Sequence, residues 1–252
     1  MFSTIETAAN KYFYRIILTL AAIFFLYFLC FKIFNYYNFR NYWDAIYYIK
    51  TFITILQPSK SLAAGGINTV FLSGYGGCHF FFDHLYFTSL LILPFYYLIS
   101  SSFTIDILHI IAVISGGLFI AAISRKLLNS ALCGAVIFII FNIHPTVQGS
   151  VIITFNSTSL SLLFAAALLY AFVNKHKKMY FIAAMLFMAT REDLAFIIIL
   201  FNLAVIIKDR VLKPYSYITI IAFIYLVIGL FWILPRLSAS NHGHLQLMNY
   251  YS

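Results

Sequence analysis

Long apolar stretches separated by short polar segments run along most of the 252-residue chain. A membrane-spanning helix needs about 20 largely apolar residues. Seven stretches are candidate spans: 16–36, 104–124, 129–146, 157–173, 179–190, 193–207 and 215–234. The pattern therefore predicts an all-α, polytopic transmembrane helix bundle of about seven spans, in a single domain over residues 1–252.

An eighth apolar stretch, 80–100, has two interpretations. Four basic clusters flank the spans, and all four are cytoplasmic only if this stretch stays in the outer membrane interface or re-enters from that side. The clusters are Lys11 and Arg15, then Arg125 and Lys126, then Lys175, Lys177 and Lys178, then Lys208, Arg210 and Lys213. Asp83, His84 and Pro94 interrupt it and favour this interpretation. If the stretch crosses the membrane, Arg125 and Lys126 lie outside.

The non-crossing topology gathers acidic residues at one face. It places the N-terminus in the cytoplasm, and residues 37–103 and the tail 235–252 outside. Five of the seven carboxylates are then extracytoplasmic: Asp44, Asp83, Asp106, Glu192 and Asp193. Because charge is costly near hydrocarbon, such a cluster indicates a functional site.

The composition excludes a soluble domain. Hydrophobic residues make up 63% of the chain and charged residues 9%, and the mean hydropathy is +0.94, far from the values of soluble proteins. The net charge is +9. Because the basic residues are spread over short loops, they are interpreted as determinants of membrane topology and not as a nucleic-acid-binding surface. The expected partner is membrane lipid.

Three groups of polar residues are candidates for chemistry. Asp44, in a predicted amphipathic helix over 41–56, either acts as a surface base or simply hydrates that helix. His79, Asp83 and His84 have a spacing that favours a hydrogen-bonded network over metal ligation. Asp106 and His109 are three residues apart at the outer start of a span, a spacing that allows them to share one helix face and pair with each other.

Arg191, Glu192 and Asp193 stand between two short apolar arms, with no Gly or Pro to make a turn. Adjacent carboxylates repel each other, so Arg191 is expected to neutralise one of them. The cluster either orients a phosphate-bound metal or an acceptor, or forms a structural ion pair that closes a helix hairpin.

Three segments resemble the bacterial membrane proteins called domain of unknown function 2079. The segments are DHLYFTSLLILPFYYL (83–98), PTVQGSVIITFNSTSL (145–160) and REDLAF (191–196). The matched positions are His84, Pro94, Pro145, Gln148, Gly149, Phe155, Glu192 and Asp193, with Arg191 in place of a Lys. Asn156, Ser157 and Thr158 replace the His-Pro-Asp of the family, and the chain is shorter than its relatives usually are.

The layout of that family is similar to the GT-C glycosyltransferases, which use polyprenyl-phosphate sugars and carry an essential Asp soon after the first span. The resemblance implies a GT-C-like enzyme of the bacterial inner membrane. Asp44 would be its base, and Glu192 and Asp193 would orient a divalent metal or an acceptor. The substrate-binding residues would be His84, Arg191, Asp83 and Gln148.

A non-enzymatic function is the alternative. The lost His-Pro-Asp residues and the short C-terminus favour a scaffold, a transporter-like bundle or a degenerate homologue. An enzyme requires Asp44 near Glu192 and Asp193 around one cavity, whereas a scaffold does not. A transporter requires polar groups on broken helices near the bilayer midplane.

Overall fold

The computed structural model of the protein is an all-α membrane helix bundle, as the sequence predicts. It describes residues 2–37, 70–71, 77–78, 85–99, 101–152, 155, 159–210 and 214–234. The predicted helix 41–56 and the tail 235–252 lie outside the described residues. A short antiparallel ladder pairs β1 (Val70–Phe71) with β2 (Gly77–Cys78).

The chain divides into two compact units. Unit 1 comprises residues 1–42 and 101–184, and unit 2 comprises residues 43–100 and 185–252. One domain over 1–252 stays a prediction.

Unit 1 is a bundle built around two long helices, α1 (Phe2–Tyr37) and α3 (Ser102–Leu128). Three further helices pack with them: α4 (Ala131–Ile143), α5 (Pro145–Ile152) and α6 (Leu160–Val173). The α1 sequence contains neither Gly nor Pro, so nothing interrupts its 36 residues. The core is apolar and includes Phe28, Ile110, Val113, Phe138 and Val151.

Local sequence signals set the helix ends in unit 1. Helix α3 ends at Asn129, which adopts the left-handed conformation with φ of 50°. The side chain of Ser130 then caps α4 by accepting a hydrogen bond from the Cys133 N–H. Helix α4 stops at His144 because a residue before proline disfavours helical backbone, and α5 begins at Pro145. The axes of α4 and α5 differ by 53°.

Unit 2 contains a short helical segment and a helix pair. A 3₁₀-helix (Phe87–Ile92) continues into α2 (Leu93–Leu98). Helix α8 (Leu194–Asp209) packs against α9 (Tyr215–Ile228), which ends in a π-helical turn, Gly229–Ile233. The boundary between the units, after residue 184, falls within helix α7 (Lys177–Met188).

Three described helices are long and apolar enough to span a membrane: Asn10–Tyr37, Phe103–Leu128 and Tyr215–Ile233. The bent pair α4 and α5 makes a fourth if it is one span. The predicted spans 157–173, 179–190 and 193–207 form helices of 14, 12 and 16 residues, short of the about 20 required. The count of about seven spans therefore stays a prediction.

The stretch 80–100 is helical only over Phe87–Leu98 among its described residues. Six residues of 3₁₀-helix and six of α-helix rise about 21 Å in total, and the hydrocarbon core is about 30 Å thick. This length favours the non-crossing interpretation.

Candidate functional site

The charged turn between α7 and α8 is built by local hydrogen bonds and not by Gly or Pro. The Thr190 hydroxyl donates to the Leu186 carbonyl oxygen at 3.0 Å, which closes the end of α7. The carbonyl oxygens of Arg191, Glu192 and Asp193 then accept the N–H groups of the first turn of α8, at 3.0–3.2 Å. The three charged residues therefore occupy one fixed turn.

Glu192 lies inside unit 2. Only 2% of its surface is exposed, and its Oε2 accepts a hydrogen bond from the Leu85 N–H at 2.8 Å. This contact links residues 107 positions apart in the chain.

A second contact anchors the segment that begins at Leu85. The Thr88 N–H donates to the Ala189 carbonyl oxygen at 3.1 Å, one turn from the first contact. The π-helical turn after α9 packs against both Leu85 and Glu192. A Cβ added to Gly229 would lie 3.2 Å from Leu85 Cδ1 and 3.5 Å from Glu192 Cβ. A glycine allows this close approach. The segment after Asp83 and His84 is thus held against the charged turn.

Arg191 and Asp193 form a bidentate ion pair. The distances are 3.1 Å from Nε to Oδ1 and 2.7 Å from Nη2 to Oδ2. Their side chains are 31% and 51% exposed, so this pair is accessible and Glu192 is not. The prediction that Arg191 pairs with one of the two carboxylates is confirmed, and the partner is Asp193.

Unit 1 contains a second set of ionisable residues, between two candidate spans. Lys32 Nζ on α1 lies 2.8 Å from Asp106 Oδ1 on α3, and their side chains are 3% and 6% exposed. His109 is fully buried, packs edge-on against Phe155, and neither ring nitrogen has a hydrogen-bond partner in the described structure. The pairing of Asp106 with His109 that their spacing allows is not found, because the ammonium group of Lys32 is the partner of Asp106.

Lys32 was not among the predicted site residues. Its signal was present, because Lys32 is the one charged residue in the predicted span 16–36. An ionisable residue inside an apolar helix requires a partner. Which residue supplies that partner depends on how α1 and α3 pack, and the sequence does not show this.

One family matches most of the chain. Its description is predicted membrane protein (DUF2079), and residues 59–252 match. The chain belongs to DUF2079. No curated protein and no solved structure matches it. The resemblance deduced from the three segments is confirmed.

The DUF2079 match contains most of the predicted site residues. The charged turn of Arg191, Glu192 and Asp193 (the RED turn) lies inside the match, and so does Gln148. Asp44 lies before its first residue, so the assignment of Asp44 depends on its position after the first span. Gln148 is half-buried on α5 in unit 1. Asp44, Asp83 and His84 lie outside the described residues, and the convergence of Asp44 with Glu192 and Asp193 stays a prediction.

The described part of this DUF2079 protein contains no group of three or more His, Cys, Asp or Glu side chains that could hold a metal ion. Of the two carboxylates in the turn, Glu192 is engaged by the backbone of Leu85. Asp193 is the one that a ligand reaches without breaking a buried contact.

Proposed function

We propose that this DUF2079 protein transfers a sugar from a polyprenyl-phosphate donor to an acceptor hydroxyl at the extracytoplasmic face of the bacterial inner membrane. The observation that carries the proposal is the buried hydrogen bond from the Leu85 N–H to Glu192 Oε2, at 2.8 Å. It joins two family segments that are far apart in sequence. One contains Asp83 and His84, and the other is the RED turn.

The hydrogen bond between Leu85 and Glu192 supports an active-site role, because it holds the segment that begins at Leu85 beside the accessible side chain of Arg191. Glu192 acts as a positioning residue, since it is buried and holds Leu85. The Arg191 guanidinium remains 31% exposed while Asp193 orients it. A planar guanidinium matches the geometry of a phosphate. Arg191 therefore binds the donor phosphate, with help from His84.

The proposed reaction is a displacement at the anomeric carbon of the donor sugar. Asp44 accepts the proton of the acceptor hydroxyl, whose oxygen forms the new bond to that carbon. The bond from the carbon to the phosphate oxygen breaks, and its electron pair leaves with the polyprenyl phosphate. Arg191 stabilises the charge that develops on this leaving group.

Location follows from the basic clusters. The N-terminus is cytoplasmic in this proposal, because Lys and Arg favour that side. The segment 37–103 and the RED turn are then extracytoplasmic, where a flipped lipid-linked sugar is available.

A binding and transfer experiment tests the proposal. The full chain in nanodiscs is titrated with a radiolabelled polyprenyl-phosphate hexose, with the free polyprenol as the control lipid. Arg191→Gln is expected to weaken donor binding about tenfold, the value of one charge-assisted hydrogen bond. Lys208→Gln removes an exposed basic residue at the other end of α8 and should change nothing.

The base is tested separately. Asp44→Asn is expected to retain donor binding and to abolish transfer of the label to acceptors in membranes, because the side chain acts only on the acceptor hydroxyl. Donor binding that does not saturate, or that Arg191→Gln leaves unchanged, would exclude the proposed site.

The second candidate is a non-enzymatic membrane scaffold. It is favoured by one observation, namely that both carboxylates of the turn already have protein partners. In a scaffold the turn only closes the junction between α7 and α8. The same titration separates the two functions, because a scaffold has no saturable affinity for the sugar donor over the polyprenol.

A further inference from the structure

Unit 1 contains a polar cavity at the end of the bundle opposite to the Lys32–Asp106 pair along α3. Its volume is about 390 Å³, within the range of about 300–1,000 Å³ that is usual for ligand pockets. Asn10, Tyr14, Arg125, Lys126, Asn129 and Asn174 supply its polar lining. Two of these residues are cationic and none of the lining residues is acidic, so the cavity attracts an anion.

The two cations have different roles. Lys126 Nζ donates to the Val173 carbonyl oxygen at 3.0 Å and to Asn174 Oδ1 at 2.9 Å. Lys126 thus neutralises the exposed carbonyl end of α6, as basic residues near helix C-termini do. One of its three N–H donors is left for a ligand.

Arg125 has no such structural role. Its guanidinium stacks on Phe13 with 4.4 Å to the ring centroid and lies 5.5 Å from the Tyr14 ring. In the described structure the guanidinium donates no hydrogen bond and forms no ion pair. The aromatic rings therefore hold a planar cation with five unused N–H donors at the wall of the cavity. Such a group recognises phosphate oxygens.

Exposed aromatic and aliphatic side chains surround the mouth of the cavity. Tyr14, which lines the cavity, is 71% exposed, and Leu18 is 60% exposed one turn further along α1. Leu127 and Leu128, next to Lys126, are 66% and 57% exposed. Tyr14, Leu18, Leu127 and Leu128 belong to candidate membrane spans, so a lipid whose headgroup entered the cavity could pack its acyl chains against them.

We propose that the cavity between α1, α3 and α6 binds the phosphate headgroup of an anionic phospholipid. Arg125 contacts the phosphate oxygens and Lys126 contributes its remaining donor. This inference does not depend on the proposed sugar transfer, because it concerns other residues in unit 1.

Native mass spectrometry of the full chain tests the proposal. Delipidated protein in neutral detergent is titrated with phosphatidylglycerol, with phosphatidylcholine, and with phosphatidylglycerol in the presence of excess inorganic phosphate. Phosphatidylglycerol is expected to bind more tightly than phosphatidylcholine. Inorganic phosphate should not displace it, because free phosphate gains nothing from the apolar surface beside the cavity.

Variants locate the site. Arg125→Gln is expected to weaken phosphatidylglycerol binding about tenfold, as the loss of one charge-assisted hydrogen bond predicts. Lys208→Gln removes the same charge at the end of α8 and is the matched control. Asn129→Asp places a negative charge in the cavity at a left-handed position that Asp tolerates, and should also weaken binding without removing the Arg125 stack.

The outcomes separate the alternatives. Equal binding of phosphatidylglycerol by the Arg125→Gln, Asn129→Asp and original proteins would overturn the proposal. Displacement by inorganic phosphate would show that the ligand is a free phosphate and would overturn the lipid assignment. If Arg125→Gln does not fold, the Asn129→Asp titration decides in the same way.

Discussion

At the scale of single residues, the two adjacent carboxylates of the charged turn have opposite surroundings. Glu192 is buried and holds the backbone of Leu85, whereas Asp193 is 51% exposed and pairs with Arg191. The sequence predicted one ion pair for Arg191. It could not show which carboxylate turns inward, because that depends on where α9 and the Leu85 segment pack.

We expect the two carboxylates to differ in their effect on stability. Glu192→Ala leaves a buried Leu85 N–H without its partner and should lower the free energy of unfolding by about 1–3 kcal/mol. Asp193→Ala removes an exposed ion pair and should cost about 1 kcal/mol or less. Chemical unfolding in detergent micelles measures both. Equal losses would contradict the assignment of Glu192 as the buried anchor.

The buried pair of Lys32 and Asp106 allows a double-mutant cycle. Lys32→Met alone leaves Asp106 as an uncompensated buried charge and should cost about 3–5 kcal/mol. Lys32→Met with Asp106→Leu removes both charges, so the double variant should regain most of that loss.

The same unfolding experiment measures the cycle. Lys11→Met, at an exposed position of α1, is the control and should stay within about 0.5 kcal/mol of the original protein. The cycle also includes Asp106→Leu alone. If the double variant loses as much stability as the Lys32→Met and Asp106→Leu losses added together, Lys32 and Asp106 act independently.

At the scale of elements, close helix packing explains the position of Arg125. A Cβ added to Gly134 on α4 would lie 2.9 Å from the Ala121 carbonyl oxygen, 3.1 Å from Arg125 Cβ and 3.1 Å from Phe13 Cε2. The glycine therefore lets α4 approach α3 and α1 where the Arg125–Phe13 stack forms.

Two glycine substitutions test this packing. Gly134→Ala is expected to lower the free energy of unfolding by about 1–3 kcal/mol, because a backbone oxygen cannot move aside cheaply. Gly149→Ala on α5 meets nothing within 4 Å and should be neutral or stabilising by up to about 1 kcal/mol. Thermal unfolding of the two variants in parallel measures the difference. A stable Gly134→Ala protein would refute the close approach.

The sequence predicted helices well and their lengths less well. The apolar runs 16–36, 104–124 and 215–234 correspond to spans that are long enough, because no proline interrupts them. The run 129–146 is also helical, but it is interrupted before Pro145, and the axes of α4 and α5 differ by 53°. Around Arg191 the predicted arms 179–190 and 193–207 correspond to α7 (Lys177–Met188) and α8 (Leu194–Asp209), with the charged residues between the two helices.

At the scale of the whole molecule, family membership and membrane character are established, and the function is proposed. Composition was sufficient for the membrane character, since few charges are spread over many apolar residues. The Lys32–Asp106 pair was not predicted because residues 38–101 separate α1 from α3 in the chain, so only the packing of the two helices brings the side chains together. The catalytic proposal additionally requires Asp44 beside the RED turn.

The measurement that tests this requirement most directly is intramolecular cross-linking within unit 2. Asp44→Cys and Asp193→Cys are combined in a cysteine-free chain and treated with a bifunctional thiol reagent that spans about 4–8 Å, the range of paired-carboxylate and two-metal sites. Asp44→Cys with Lys208→Cys is the control pair, because Lys208 lies about 22 Å from Asp193 along α8. We expect a cross-link between residues 44 and 193 and none between 44 and 208. No cross-link between 44 and 193, although each cysteine reacts singly, would contradict the shared active site.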